Sequence, residues 1–348
     1  MKQVTIKDVA RRAGVHHSTV SLVLTENARI SERTRVRVRK IIKELGYKHD
    51  KISMALTTRR MHKQITNLTP RLAYLTHFPD RSLFDRMIHN QLFFQGASDR
   101  ARSLGYECDL VFMPMQPAPD AEFIENFKSV KYDGIILGAL DPLPSMPPLD
   151  WNHYAVSKID TQAMAQGVHS VCNDQIHAIR TAFQRLRALG YRRIGMAVGK
   201  EDERRTGNLY SAGFLFEAAA LSDRERIPPL FFPNNSRAPD VMPLVKAWIN
   251  RFKIDVVMSN WSYIITIVRD IGYDVPEQVA CAGLGMGVPT ADEAGIVQNH
   301  YLVGRKAVDS VVASLKASVL GISDLPKATL VAGSWHDGNS APAKRAPG

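Results

Sequence analysis

The chain has few cysteines and no long apolar stretch, and these absences exclude several classes of protein. Only three of its 348 residues are cysteines, and Cys108, Cys172 and Cys281 match neither a disulfide framework nor zinc-ligand spacing. No run of about 18 uncharged apolar residues is present, which argues against a membrane span. The first residues enter a helical pattern without an apolar signal core. We therefore expect a cytoplasmic protein with buried, reduced thiols.

Motifs of the common α/β enzymes are also missing. The sequence contains none of G-x-x-x-x-G-K-[ST], G-x-S-x-G and H-E-x-x-H. Gly283, Gly285 and Gly287 follow a β-type run but lack the glycine spacing of a dinucleotide-binding loop. The sequence therefore predicts no catalytic residue, no metal site and no cofactor, and a doubly wound α/β enzyme stays as a competing interpretation.

The excess positive charge lies at one end of the chain. Residues 1–63 contain 16 Lys and Arg against 5 Asp and Glu, a net charge of +11 that equals the net charge of the whole chain. The remaining 285 residues carry equal numbers of acidic and basic side chains. A basic segment attached to a neutral body is suited to neutralising nucleic acid phosphates and releasing their counterions.

Within this basic end, apolar spacing predicts two short helices around a tight turn at Gly14. The residues expected on their packed sides are Ile6, Val9, Ala10, Ala13, Val20, Val23 and Leu24. His17, Ser18, Ser21 and Leu22 are left facing outward. A helix-turn-helix that reads the DNA major groove has this layout, although any small helical hairpin needs a glycine at its turn.

A third helical segment combines basic and apolar positions. Its basic residues are Arg33, Arg35, Arg37, Arg39, Lys40 and Lys43, and its apolar residues are Val36, Val38, Ile41, Ile42 and Leu45. We expect the apolar side to pack and the basic side to meet phosphate.

Beyond a polar linker at residues 61–69, β-type runs alternate with amphipathic helices, as in a mostly parallel sheet covered on both faces. The predicted strands are 72–76, 107–112, 134–137, 193–198, 255–259 and 278–282. The predicted helices are 84–104, 175–189, 212–220, 239–252 and 303–320. Residues 339–348 are small, basic and proline-containing, and we expect a disordered tail there.

Several motifs in the basic end resemble the lactose-repressor/galactose-repressor family of bacterial transcription regulators. They are Thr5–Ala10, Ala13–Val15, Ser18–Ser21, Ser31 with Thr34-Arg35, and Glu44–Tyr47. Ala188–Gly195 and Gly213-Phe214 extend the resemblance more loosely over nearly the whole chain. The resemblance implies a repressor that binds a palindromic DNA operator as a homodimer. It also implies a core similar to periplasmic sugar-binding proteins, in which a small molecule between two lobes changes DNA affinity.

The resemblance implies the following domains. An all-α helix-turn-helix headpiece spans residues 1–48, and a hinge helix with its linker spans 49–69. A two-lobed α/β core with parallel sheets spans 70–338, with a first lobe at about 70–167 and 299–325 and a second at about 168–298 and 326–338.

Carried over by position, the resemblance assigns DNA contacts in this chain. His17, Ser18 and Leu22 occupy base-reading positions, and Thr5, Thr19, Ser21, Ser31 and Thr34 occupy hydroxyl positions suited to phosphate. His16, Arg29 and Tyr47 complete the predicted contacts in the headpiece. Leu22 stands where the family often has an arginine that reads guanine, so we expect a different operator, with apolar contact to a thymine methyl. Because an imidazolium attracts phosphate better than a neutral ring, the adjacent histidines predict binding that weakens above neutral pH.

Leu56 matches the hinge-helix leucine that the family inserts into the minor groove at the centre of the operator. An apolar wedge of this kind partly unstacks a base step and kinks the duplex. Packing of Leu56 against the partner's hinge is the alternative.

The predicted effector site departs from the family pattern. Asp160, Asn173, Asn260 and Gln298 fall at or near cleft-facing positions, and His77 and Phe78 follow the first core strand. Tyr210 and Trp261 stand where sugar-binding members often have arginine and aspartate, and Gly285-Met286 replaces a frequent Asp-Asp. The two aromatic residues fit either stacking on a sugar-like ligand or packing in the core. A periplasmic binding protein and an architectural DNA-binding protein with a vestigial core remain competing interpretations.

Overall fold

The computed structural model describes residues 6–24, 30–45, 69–114, 121–138, 149–159, 167–233 and 238–344. The chain divides into two compact units, residues 1–67 and 68–348. Five of the expected contact residues lie outside the described residues: Thr5, Arg29, Tyr47, Leu56 and Asp160. The side chains of Ser18, Ser21, Ile6 and Leu24 are also outside the description.

The described helices are α1 Ile6–Ala13, α2 His17–Leu24, α3 Glu32–Glu44, α4 Arg81–Asp85, α5 Ile88–Ser103, α6 Ala121–Ser129, α7 Gln175–Ala188, α8 Lys200–Arg205, α9 Leu209–Ala219, α10 Ala238–Phe252, α11 Ile264–Asp270 and α12 His300–Ala317. The described strands are β1 Arg71–Thr76, β2 Glu107–Phe112, β3 Gly134–Leu137, β4 Ala155–Ile159, β5 His169–Asn173, β6 Ile194–Gly199, β7 Leu230–Phe232, β8 Val256–Ser259, β9 Ala280–Met286, β10 Ala294–Val297, β11 Ala328–Val331 and β12 Ser334–His336.

The first unit is a three-helix headpiece around a small apolar core. Its buried residues are Val9, Ala10, Ala13, Val20, Val23 and Val38, with Ile41, Ile42 and Leu45 packed against them. These are the positions that helical spacing predicts. Val36 was expected on the packed side of α3, but 58% of it is exposed. Val36 and Val38 are two residues apart, about 200° around a helix, so they cannot share one face.

The second unit contains two six-stranded sheets. The first sheet has the order β11-β5-β4-β3-β1-β2 and the second has the order β12-β10-β9-β8-β6-β7. Among the described strands, every pair is parallel except β10 with β12, which is antiparallel. We call each sheet with its covering helices a lobe. The predicted α/β class with parallel sheets is therefore confirmed.

Both faces of each sheet are buried, which explains the nearly continuous apolar strands. In β1, Leu72 and Tyr74 join one cluster while Ala73 and Leu75 join another. In the first lobe, α5 and α12 cover one face of the sheet and pack closely against each other. Gly96 in α5 faces the backbone of Tyr301, and Gly304 in α12 faces the backbone of Phe93.

The structure corrects three sequence-based expectations. Strands β5 and β11 pair in the first sheet, whereas residues 168–173 and 326–331 were expected in the second lobe. The predicted helix 84–104 is two helices, because Asp80 caps α4 through the Leu83 amide and the chain begins α5 only at Ile88. Residues 339–344 were expected to be disordered, yet Ser340 and Ala341 are buried.

Candidate nucleic-acid interface and interlobe cleft

The turn between α1 and α2 is closed by backbone hydrogen bonds at Gly14. Its amide donates to the Arg11 carbonyl, and the Val15 amide donates to the Ala10 carbonyl. This pair of bonds is a Schellman motif, and it requires the left-handed φ of +61° that Gly14 adopts. The glycine therefore ends α1 and sets the direction in which α2 begins.

The outward side of α2 begins with two adjacent imidazole rings. His16 and His17 are exposed, and their ring centroids lie 4.0 Å apart. Thr19 and Leu22, also predicted to contact DNA, are half-buried. The accessible start of α2 thus presents two histidines, while Val20 and Val23 hold the helix to the core.

The beginning of α3 brings two predicted phosphate contacts together. The hydroxyl oxygens of Ser31 and Thr34 lie 3.0 Å apart, with Ser31 exposed and Thr34 half-buried. Arg35 donates to the Ile30 carbonyl and lies 3.6 Å from a carboxylate oxygen of Glu32. The other basic residues of α3 are exposed: Arg33, Arg37, Arg39, Lys40 and Lys43.

In the second lobe, a short polar chain lies where two parallel strands end. Asn260 follows β8, and α8 follows β6 directly. The Asn260 amide nitrogen donates to Asp202 Oδ2 at 2.6 Å, and Arg205 donates to Asp202 Oδ1 at 2.5 Å. Because a carboxylate only accepts, this bond fixes the orientation of the Asn260 amide. Asn260 Oδ1 is buried without a hydrogen-bond partner among the described residues.

In the first lobe, aromatic and imidazole rings lie at the start of α5 and α12. His77 and Phe78 follow β1, and their rings stack at 5.9 Å. His89 in α5 lies 5.9 Å from the His300 ring, which contacts Phe93 edge-on at 4.9 Å. Burial lowers the pKa of His300 to about 3, with a smaller effect of His89.

His89 connects the two lobes electrostatically. Burial lowers the pKa of His89, the positive charge of Arg205 lowers it further, and Asp202 opposes both effects. Gly287, after β9, also approaches Ile88 at the start of α5. The first turns of α5 therefore face the second lobe at this end of the sheets.

The structure does not bring all predicted cleft residues together. Tyr210 and Trp261 are buried in two separate apolar clusters. Alternate residues of β6 and β8 belong to one cluster or the other, so the two clusters lie on opposite faces of the second sheet. Trp261 packs against Phe232 with ring centroids 4.0 Å apart. Tyr210 and Trp261 are therefore packed in the core and do not form an aromatic pair.

Gln298 and Asn173, whose side-chain amides were predicted to face the cleft, have different surroundings. Gln298 is buried and donates through Nε2 to Gln175 Oε1 and to the Leu284 carbonyl, both at 2.9 Å. Asn173 ends β5 and is half-buried, and its Oδ1 has no hydrogen-bond partner among the described residues. Each lobe thus has one such acceptor oxygen at the carboxyl end of a strand, from Asn173 at the end of β5 and from Asn260 after β8.

Sequence reasoning missed Asp202, Arg205, His89 and His300. A signal for α8 was present, because the charged run Lys200–Arg205 follows an apolar strand at the edge where ligands gather. The histidines carried no comparable signal, since their proximity depends on how α5 packs against α12.

Two features are absent among the residues with described positions. No helix among them is long and apolar enough to cross a membrane. No group of three or more His, Cys, Asp or Glu residues there is arranged to hold a metal ion.

Comparisons with known proteins agree with this architecture. Residues 5–50 match the family model described as bacterial regulatory proteins, lacI family. The chain is 26% identical over 201 residues to the HTH-type transcriptional regulator DegA of Bacillus subtilis, covering 57% of this chain and 56% of DegA. The chain thus spans little more than half the length of this relative.

Two solved structures share the fold at low sequence identity. A transcriptional regulator CelR–cellobiose complex covers 97% of this chain, with a TM-score of 0.56 and 18% identity. A lac repressor dimer bound to operator and the anti-inducer ONPF covers 98%, with a TM-score of 0.58 and 18% identity. The match covers 100% of the chain of each of these two neighbours.

Proposed function

We propose that this chain, whose residues 5–50 match the family model of bacterial regulatory proteins, lacI family, is a transcriptional repressor that binds a palindromic operator as a homodimer. It acts on DNA in the bacterial cytoplasm and carries out no catalysis. A small molecule bound between the lobes changes its affinity for the operator.

The structure of the headpiece is the main support for this proposal. Gly14 directs α2 away from α1, the apolar sides of three helices form one core, and His17 stays exposed at the start of α2. A recognition helix contacts base edges through its N-terminal residues, so this exposed start is the part suited to the major groove. The surrounding segment holds the entire excess charge of the chain.

The effector is proposed to be sugar-like. Among the described residues, Asn173 Oδ1 and Asn260 Oδ1 are buried acceptors without hydrogen-bond partners; Asn173 ends β5 in the first lobe, and Asn260 follows β8 in the second. A ligand with several hydroxyl groups supplies donors to both, and a contact shared between lobes favours one lobe arrangement over another. The structural neighbour CelR was solved with cellobiose.

Selection of bound duplexes from a random-sequence pool tests the DNA-binding proposal. We expect enrichment of a two-fold symmetric site whose half-sites carry thymine opposite Leu22. The variant Leu22→Arg is expected to shift that position toward guanine, by a discrimination of about 1–3 kcal/mol. A pool without enrichment, or an asymmetric site, would count against the proposal.

A DNA-binding protein whose core binds no sugar is the second candidate. The buried positions of Tyr210 and Trp261 favour it, because neither aromatic ring is available to stack on a ligand. Thermal unfolding with a carbohydrate library separates the two candidates. A sugar that raises the melting temperature of the wild type but not of Asn260→Ala supports the effector site, and no stabilisation by any sugar supports the second candidate.

A further inference from the structure

We propose that the outward side of α3 is a second DNA-binding surface, which contacts the phosphate backbone of duplex DNA outside the segment read by α2. The proposal rests on the operator binding proposed above. We call this surface the basic face, and its members are Arg33, Arg37, Arg39, Lys40 and Lys43, all exposed.

The packing of α3 decides where the basic face points. Val38 is fully buried, and Ile41, Ile42 and Leu45 pack on the core shared with α1 and α2. The members of the basic face lie on the opposite side of the helix, which they share with Glu32, Val36 and Glu44. The basic face therefore points away from α2. A duplex seated on α2 leaves the basic face free for DNA outside the bound segment.

The charges of the basic face repel one another along the helix. Arg33 and Arg37 are four residues apart, as are Arg39 and Lys43, and like charges at this spacing destabilise a helix. Lys40 lies 4.0 Å from Glu44. Arg33, Arg37 and Lys43 have no carboxylate within ion-pair distance in the described part of the chain. A polyanion bound to the basic face would offset this repulsion.

Duplex DNA is complementary in charge to the basic face along its whole length. The five residues span 11 positions, about 15 Å along a helix axis. A duplex carries one negative charge per roughly 1.7 Å of its axis, so a stretch of that length holds about nine phosphates on its two strands. The second unit is neutral and offers no matching excess of acidic side chains. Backbone contacts of this kind are independent of base sequence.

The two possible sources of this DNA are the flanks of the operator and a separate duplex. The test therefore uses an immobilised duplex that ends at the selected operator, the same operator with long flanks, and the short operator with a labelled non-operator duplex in solution. The full-length protein is used throughout. Binding of wild type to the short operator is measured first, so that a failure of the proposed function is seen separately.

The test variant is Arg33→Gln/Arg37→Gln/Lys43→Gln, and glutamine keeps a similar helix propensity. Its matched control is Arg86→Gln/Arg269→Gln/Lys246→Gln, which removes the same number and kind of exposed charges from the second unit. Circular dichroism checks that both fold.

We expect the test variant to bind the short operator like wild type. It should lose, by several-fold, the affinity gained from flanks or the capture of the second duplex. The salt slope of that gain should fall by about 3 units, because three phosphate contacts are removed. The control should behave as wild type.

Three results would overturn the proposal. Wild type could gain nothing from either flanks or a second duplex. The test variant could match the control in both arms. Alternatively, the test variant could lose affinity for the short operator, which would place the basic face within the α2 interface.

Discussion

At the scale of single residues, backbone conformation can be read from the sequence more readily than ligand contacts. The position of Gly14 between two apolar helical patterns predicted the turn, and its positive φ confirms the prediction. Tyr210 and Trp261 were equally compatible with a pocket and with the core. Their burial depends on which face of the second sheet each one reaches, and this is set by strand pairing far along the chain.

Gly14→Ala should destabilise the headpiece. A Cβ at this position meets no atom within 4 Å, so the cost is that of the left-handed backbone alone, about 1 kcal/mol. Gly14→Asn should cost less, because asparagine tolerates this conformation. Hydrogen exchange of the amides in α1 and α2 measures local opening. Equal protection in wild type and Gly14→Ala would show that the turn is not strained by a side chain.

His300 should make the second unit less stable in acid. Its pKa is about 3 in the folded protein and 6.5 when unfolded, because burial disfavours the charged ring. Below pH 6.5 the unfolded chain therefore binds a proton that the folded chain does not. The free energy of unfolding should fall as the pH drops from 6.5 toward 3.

Urea unfolding at a series of pH values measures this fall. His300→Gln should flatten the profile, whereas the exposed His177→Gln should leave it unchanged. An unaltered profile in His300→Gln would assign the acid sensitivity to other groups, among them His89, whose pKa is also lowered.

At the scale of elements, the strongest predictions came from long periodic segments. The strands 107–112 and 134–137 have the expected bounds, and α7 and α10 differ from the expected helices by one residue at one end. Short elements such as α8 and β12 were missed because a segment of so few residues shows no clear hydrophobic periodicity. The close approach of α5 and α12 was also missed, since small residues on two helices indicate contact only when their pairing is known.

Gly304→Ala should disrupt the contact between α5 and α12. An added Cβ overlaps the Phe93 carbonyl oxygen, which is backbone and cannot move aside without separating the helices. Overpacking of this kind costs about 1–3 kcal/mol or more. Thermal unfolding should show a lower melting temperature for Gly304→Ala than for Ser103→Ala, which alters an exposed position on α5. Equal melting temperatures would contradict the close packing.

At the scale of the whole molecule, charge arithmetic and alternation of elements predicted a basic headpiece and a larger α/β unit. The chain limits of the lobes could not be predicted, because β5 and β11 return to the first sheet by pairings that leave no local pattern. The C-terminal segment was misjudged for a related reason. Its small residues suit a tail, but they also suit the narrow space beside β9 and β10.

Removal of residues 339–348 should destabilise the second unit. The Cys281 amide donates to the Ser340 carbonyl, and the Ala294 amide donates to Ser340 Oγ. Losing both acceptors leaves two buried donors, each costing about 1–3 kcal/mol. Urea unfolding should show this loss, while Asn339→Ala, at an exposed side chain, stays near wild type. A truncated chain as stable as wild type would support the original expectation of a disordered tail.

The affinity of the full-length protein for its selected operator, compared with a scrambled duplex of equal length at physiological salt, tests the central claim most directly. A headpiece that reads bases should bind the operator at least about 10³-fold more tightly. Equal affinities for the two duplexes would mean that the basic end binds DNA by charge alone, and would contradict the account.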